Sequence, residues 1–191
     1  MKTIQEAHHT WLNPTGGVTP SHFLKGDARS RYLVDLVKAH TADNPAILEI
    51  GSNVGRNLNH LWQAGYKNLY GVEINAAAVA LGVEKFPARP TMYIGPIEEH
   101  IKELPNFDLI YSMCVLMHIH PDSVWVFDEI AKRTNLIITI EDEVGTSDWK
   151  WPRNYQEIFE KVGFVQVSFR NCADIDGLGN RYFARVLRKE T

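Results

Sequence analysis

Glycines and one acidic residue in the first half of the chain could together hold a nucleotide. Residues 47–58 read ILEIGSNVGRNL, in which an apolar run leads into a turn that carries Gly51 and Gly55. Glycine permits positive φ and close approach of a ligand to the main chain, and Asn53 is one of the few other residue types that tolerate that region. Glu73 follows the last glycine by 18 residues (73 − 55), near the roughly 20-residue spacing at which an acid binds ribose hydroxyls. This spacing predicts a nucleotide site.

Short apolar runs and amphipathic segments alternate around that turn, as in a parallel α/β sheet. We expect strands at residues 45–50, 69–72, 92–95, 109–112 and 135–141. We expect helices at residues 27–40, 56–64, 75–86, 97–104, 122–133 and 152–162. The rhythm predicts right-handed crossovers with helices on both faces, and ligands at the carboxyl ends of the strands. Two alternating runs, at 164–169 and 181–187, predict a final antiparallel hairpin.

Three motifs in these elements resemble those of class I S-adenosylmethionine-dependent methyltransferases. They are LEIGSNVG at 48–55, GVEIN at 71–75 and FDLIYSMCVLMHIHPD at 107–122. The resemblance extends over residues 28–187, and these pieces are most similar to small bacterial methylases of surface-sugar or secondary-metabolite biosynthesis. It implies one Rossmann-like α/β domain at 27–191, with a mostly parallel seven-stranded sheet. Before it, turn-forming residues mixed with isolated aromatics predict an ordered flap at 1–26, which could equally be a frayed terminus.

The resemblance also implies a cofactor, S-adenosylmethionine, with S-adenosylhomocysteine as its product. The main chain of the turn would meet the methionine part through Gly51, Ser52, Asn53 and Gly55. Asn57 would hold the methionine carboxylate, whereas Glu49 and the Met113 carbonyl would lie near its ammonium group. The amino-terminal N–H groups of the helix after the turn also favour an anion there.

The adenosine end is implied by the following two strands. Glu73 would bind the ribose hydroxyls, and Ile74 would pack on the adenine face. Many relatives place an aspartate near the adenine amino group, but this chain has Gly-Pro-Ile-Glu-Glu at 95–99. The Ile97 backbone and Glu98 would take that place, although Glu98 could equally be an acid favoured by the dipole of a helix start.

Four residues are predicted to contact the methyl acceptor. His118 is the proposed general base or hydrogen-bonding group, because its ordinary pKa is near neutrality, although it could instead only orient its loop. Glu141 begins an acidic trio that could attract an amine or form a solvated loop. Trp151 lies in an aromatic segment that could cover a small substrate, and Tyr32 lies on the first long helix.

Composition bounds the remaining possibilities. The 191 residues are 45% hydrophobic, which is enough for one ordinary core. The net charge is −3 and the basic residues are scattered, which disfavours a nucleic-acid substrate. The two cysteines are far apart, and no histidine pair has a third metal ligand at a suitable spacing. We expect a cytoplasmic monomer or homodimer that binds no metal and no membrane.

The predicted function is methyl transfer to an oxygen or nitrogen atom of a small metabolite by in-line displacement. One alternative is a protein that binds S-adenosylmethionine without catalysis. A second is an NAD-dependent oxidoreductase, which Gly51 and Glu73 permit. The absence of the second glycine of Gly-x-Gly-x-x-Gly, where Ser52 and Asn53 stand, and the final hairpin disfavour it.

Overall fold

A seven-stranded sheet is the centre of the structure, a computed structural model that describes residues 2–190. Its strands are β1 (Ile47–Ile50), β2 (Leu69–Glu73), β3 (Thr91–Ile94), β4 (Leu109–Met113), β5 (Leu136–Asp142), β6 (Phe164–Asn171) and β7 (Tyr182–Lys189). They lie in the order β3-β2-β1-β4-β5-β7-β6. The first five strands are parallel, and β7 is antiparallel to both of its neighbours. The predicted mostly parallel sheet and final hairpin are confirmed.

The strand order places a binding cleft beside β1. Ile47 of β1 pairs with Leu69 of β2 on one side and with Leu109 of β4 on the other. From β1, the sheet therefore extends to one side through β2 and β3, and to the other side through β4 and β5. Loops that leave β1 and β4 in opposite directions open a crevice at the carboxyl ends of the strands, which is where ligands bind in such sheets.

Helices cover both faces of the sheet. They are α1 (Ile4–Leu12), α2 (Asp27–His40), α3 (Arg56–Gln63), α4 (Ala76–Lys85), α5 (Ile97–His100), α6 (Trp125–Arg133) and α7 (Tyr155–Glu160). One buried cluster joins α5, α6 and α7 to the sheet, and a second joins α2 and α3 to it. Because Leu48 belongs to the first cluster and Ile47 to the second, the central strand contributes side chains to both cores, as its burial on both faces requires.

The amino-terminal segment contains a helix that its turn-rich sequence did not predict. Thr3 caps α1 by accepting a hydrogen bond from the Glu6 backbone, and the Glu6 carboxylate accepts one from the Thr3 backbone. This reciprocal capping box begins the helix. Ala7 is the buried residue of this helix. Two short 3-10 turns, Gly16–Val18 and Pro20–Leu24, then lead the chain to α2.

Several predicted helices are shorter in the structure. The predicted helix at 97–104 is α5 followed by turns, and the one at 122–133 begins as a 3-10 turn, Pro121–Ser123. The predicted helix at 152–162 is limited to α7, which Asn154 caps. Within residues 2–190, every helix is too short or too polar to cross a bilayer.

Candidate active site

One cleft at the carboxyl ends of β1, β2 and β4 brings most of the predicted cofactor residues together. It encloses about 1030 Å³ of empty space including its open mouth. The predicted residues that line it are Glu49, Gly51, Ser52, Asn53, Asn57, Glu73, Ile74, Ile97, Glu98 and Met113. Gly55 does not line this cleft. It caps α3 instead, with a φ of 71°.

The turn after β1 is held by the acid at the end of β2. Asn53 adopts a φ of 49°, and its backbone N–H donates to Glu73 Oε2 at 2.7 Å. The Asn75 N–H donates to the other oxygen of Glu73 at 2.9 Å. Burial raises the pKa of Glu73. The predicted ribose acid therefore lies in the cleft and is oriented by two backbone groups.

Glu49 presents a buried carboxylate oxygen to the cleft. Its Oε1 accepts a hydrogen bond from Asn57 Nδ2 at 2.7 Å, whereas its Oε2 has no partner among the described residues. The side chain is almost fully buried, and this burial raises its pKa to about 8. A buried oxygen without a partner costs free energy unless a ligand satisfies it. Glu49 Oε2 is therefore available to a hydrogen-bond donor of a ligand.

The amide of Asn57 is occupied within the protein. Its oxygen accepts from Ser30 Oγ at 2.7 Å and from Arg56 Nη2 at 3.1 Å, while its nitrogen donates to Glu49. The structure thus does not support the prediction that Asn57 holds the cofactor carboxylate directly. Its role in this geometry is to orient Glu49.

Two arginines that the sequence reasoning missed lie beside the same end of the cleft. Arg56 donates to Ser30 Oγ and to the backbone carbonyls of Phe23 and Lys25. Arg29 Nε is buried without a partner, and its Nη1 reaches only the Gly177 carbonyl, at 3.5 Å. Within residues 2–190, neither guanidinium has a carboxylate oxygen within 4.0 Å.

The amino-terminal segment covers the other end of the cleft. His8, Trp11 and Phe23 line the cleft, and none of them was among the predicted site residues. His8 Nε2 lies 3.3 Å from Glu98 Oε1, so Glu98 is tied to α1. The Trp11 carbonyl accepts from Asn75 Nδ2 at 3.0 Å. These contacts hold α1 across the cleft.

His118 lines the cleft in one defined tautomer. Its Nδ1 lies 2.8 Å from the Trp149 carbonyl oxygen. Because a carbonyl can only accept, Nδ1 carries the hydrogen and Nε2 keeps a free lone pair. The Trp11 ring lies 4.6 Å from the imidazole between centroids. Burial lowers the pKa of His118 to about 4, so the ring is neutral at physiological pH.

The other predicted acceptor residues do not line the cleft. Glu141 is fully buried, and it accepts from Ser112 Oγ and from three backbone N–H groups, so its predicted contact with the acceptor is corrected. Trp151 packs against His120 at 5.0 Å between ring centroids. Tyr32 lies beneath the Arg170 guanidinium, 5.2 Å from ring centroid to Cζ. Sequence spacing identified the strand ends but not the direction of these side chains.

Solved structures share this fold at low sequence identity. TehB from Haemophilus influenzae aligns with 84% of this chain at 15% identity and a TM-score of 0.67, and this chain spans 62% of TehB. The 1,6-didemethyltoxoflavin-N1-methyltransferase from Burkholderia thailandensis was solved with 1,6-didemethyltoxoflavin and S-adenosylhomocysteine. It aligns with 88% of this chain at 17% identity and a TM-score of 0.70, and the alignment covers 81% of its own length. A candidate RNA methyltransferase from Pyrococcus horikoshii aligns with 98% of this chain at 14% identity and a TM-score of 0.66, and the alignment covers 98% of its own length. These identities establish the fold alone.

A comparison with family models finds a match to part of the sequence. Residues 48–134, which contain the turn, Glu73 and His118, match the family model described as a methyltransferase domain. No curated protein sequence matches the chain. Residues 48–134 are thus similar in sequence to a methyltransferase domain, and the chain has the fold of solved S-adenosylmethionine-dependent methyltransferases.

Proposed function

We propose that this protein transfers a methyl group from S-adenosylmethionine to an oxygen or nitrogen atom of a small molecule. The observation that carries the proposal is one cleft that contains both the cofactor cradle, from Gly51 to Glu73, and a neutral His118 with a free Nε2. A cofactor cradle alone would suit a binding protein. A half-buried base beside it favours an enzyme.

The bound cofactor supplies an electrophilic methyl group on a sulfonium. The protein's contribution is to align the acceptor with that methyl group and to exclude water, since in-line displacement depends on orientation. Helix α1 covers the cleft through His8 and Trp11. His118 Nε2 accepts a hydrogen bond from a hydroxyl or protonated nitrogen of the acceptor and takes its proton as the methyl bond forms.

A small acceptor fits this site better than a nucleic acid. The chain carries a net charge of −3, without a run of basic residues to follow a phosphate backbone. The Burkholderia relative in fold was solved with a small heterocycle, whereas the Pyrococcus relative is a candidate RNA methyltransferase. We therefore propose small-molecule methylation, in the cytoplasm, with RNA as the competing substrate class.

The experiment that tests this function follows S-adenosylhomocysteine release. Purified protein would be incubated with S-adenosylmethionine and either a panel of phenols, carboxylic acids and heteroaromatic amines or short RNAs. Turnover on a small acceptor supports the proposal. Turnover on RNA alone would replace the substrate class, and cofactor binding without any turnover would favour a non-catalytic protein.

We expect His118→Asn to lower kcat on the acceptor by about 100-fold, the scale of general base catalysis. Loss of Nε2 at this position removes the proton acceptor but leaves the cradle intact, so S-adenosylhomocysteine affinity should change less than threefold. Because His118 has a pKa of about 4, its charge is constant from pH 6 to 8, and its protonation should reduce kcat only below about pH 5. An unchanged kcat in the variant would exclude His118 as the base.

We also propose that Arg29 binds the cofactor carboxylate in place of Asn57. In Arg29→Met, we expect S-adenosylhomocysteine to bind about 10-fold more weakly, because a hydrogen bond to a charged group contributes about 1.5–3 kcal/mol. Binding of 5′-methylthioadenosine, which lacks the carboxylate, should not change. Arg31→Met, an exposed arginine on the same helix, is the control. Equal weakening of both ligands would contradict the assignment.

A further inference from the structure

The turn that carries His118 is held from two opposite sides. This His118 turn, residues 115–119, contains one 3-10 turn, Leu116–His118. On its amino-terminal side, the Glu141 carboxylate accepts from three backbone N–H groups: Val115 and Leu116 at 3.1 Å each, and Met117 at 3.3 Å. These are the unpaired donors at the start of such a turn. The carboxylate therefore replaces the hydrogen bonds that the turn cannot make within itself.

The carboxyl-terminal side of the His118 turn is held by Arg153. Its Nη2 donates to the Ile119 carbonyl at 2.6 Å, and its Nη1 donates to the Leu116 carbonyl at 3.2 Å. A cation at the carbonyl end and an anion at the amide end both complement the dipole of the turn. Planar guanidinium geometry allows one side chain to bind several carbonyl groups at once, which an ammonium on a flexible stem does less well.

Arg153 also binds the segment that fixes the tautomer of His118. Its Nη1 donates to the Trp151 carbonyl at 3.0 Å, and the Trp151 N–H donates to the Met117 carbonyl at 2.8 Å. Two residues earlier in this segment, the Trp149 carbonyl accepts from His118 Nδ1. Arg153 thus joins the two segments that carry the partners of the hydrogen bond that sets the tautomer.

We propose that Glu141 and Arg153 are positioning residues that hold His118 with its Nδ1 protonated and its Nε2 facing the cleft. Neither residue lines the cleft, so neither is assigned a contact with cofactor or acceptor. The inference rests on the proposed role of His118 as the base. It extends that role by naming the residues that maintain the correct lone pair.

The test measures His118 directly and requires no acceptor. Long-range ¹H–¹⁵N spectra of the histidine rings report the tautomer, and comparison with His118→Asn assigns the signals. In wild-type protein we expect the Nδ1–H form. In Arg153→Lys we expect loss of that single form and exchange between both tautomers, with S-adenosylhomocysteine affinity unchanged within threefold.

Arg133→Lys is a matched control for stability. Arg133 also donates to backbone carbonyls, those of Ile101 and Lys102, but it lies at the end of α6. We expect this variant to keep the His118 tautomer even if it lowers the unfolding temperature as much as Arg153→Lys does. Should Arg153→Lys fail to fold, Glu141→Gln tests the other side of the turn. In that variant we also expect loss of the single Nδ1–H tautomer of His118.

The outcomes separate the two proposals. A folded Arg153→Lys protein with wild-type His118 signals would overturn the positioning role and leave the proposed function untouched. If His118→Asn instead kept full turnover, the proposed base would be wrong, yet a tautomer change in Arg153→Lys would still support the positioning role. Equal tautomer loss in Arg133→Lys would show a general effect of stability and would also overturn the inference.

Discussion

Glu73→Ala is expected to weaken S-adenosylhomocysteine binding at least 100-fold. The carboxylate would lose two charge-assisted hydrogen bonds to the ribose hydroxyls, each of about 1.5–3 kcal/mol, and about 1.4 kcal/mol corresponds to a factor of ten. It would also lose its bonds with the Asn53 and Asn75 backbone groups, which orient the turn after β1. Calorimetric titration measures the change.

Glu84→Ala is the control for this prediction. Glu84 is an exposed acid on α4, and its ion pair in the described structure is with the adjacent Lys85. We expect wild-type affinity in that variant. A Glu73→Ala protein that folds and binds S-adenosylhomocysteine within threefold of wild type would remove Glu73 from the ribose site.

Gly51→Ala is expected to destabilise the protein by about 2–4 kcal/mol and to abolish measurable cofactor binding. Gly51 has a φ of 73°, and a Cβ there would lie 2.4 Å from Val115 Cγ2 and 2.5 Å from Cγ1. Strain in the left-handed region and overpacking both oppose the substitution. Because Gly51 and Val115 line the cleft, displacement of either one changes its shape. Chemical unfolding and calorimetry measure the two effects.

Gly55→Ala separates these two causes. Gly55 has nearly the same φ, 71°, but a Cβ there would meet no atom within 4 Å. It should therefore show only the cost of backbone strain, about 1–2 kcal/mol. Adding Val115→Ala to Gly51→Ala should recover part of the lost stability. If Gly51→Ala and Gly55→Ala were equally destabilised, close packing against Val115 would not be the cause.

The sequence was sufficient to predict features that depend on local pattern. Gly51, Asn53 and Gly55 all adopt positive φ, as their residue types and spacing indicated. Glu73 lies at the end of β2 because a short apolar run ends there, and the parallel sheet brings it beside the turn. The antiparallel β7 was also predicted, from its alternation of apolar and polar residues.

Features that depend on side-chain direction were not predictable in this way. Glu141 and Asp142 follow one another on β5, so the pleat sends them to opposite faces, and only the packed structure shows that Glu141 turns toward the His118 turn. Arg29 and Trp11 approach the cleft from α2 and α1, elements whose docking is decided by tertiary contacts. The available signal for Arg29 was its position as a basic residue in the first turn of α2, the helix before β1.

The central claim, that the cleft binds the adenosyl cofactor of methyl transfer, is tested most directly by calorimetry with S-adenosylhomocysteine and, separately, with NAD. The predicted result is saturable 1:1 binding of S-adenosylhomocysteine with a Kd on the order of micromolar, and no heat of binding with NAD. Binding of NAD without binding of S-adenosylhomocysteine would contradict the account and favour the dehydrogenase alternative.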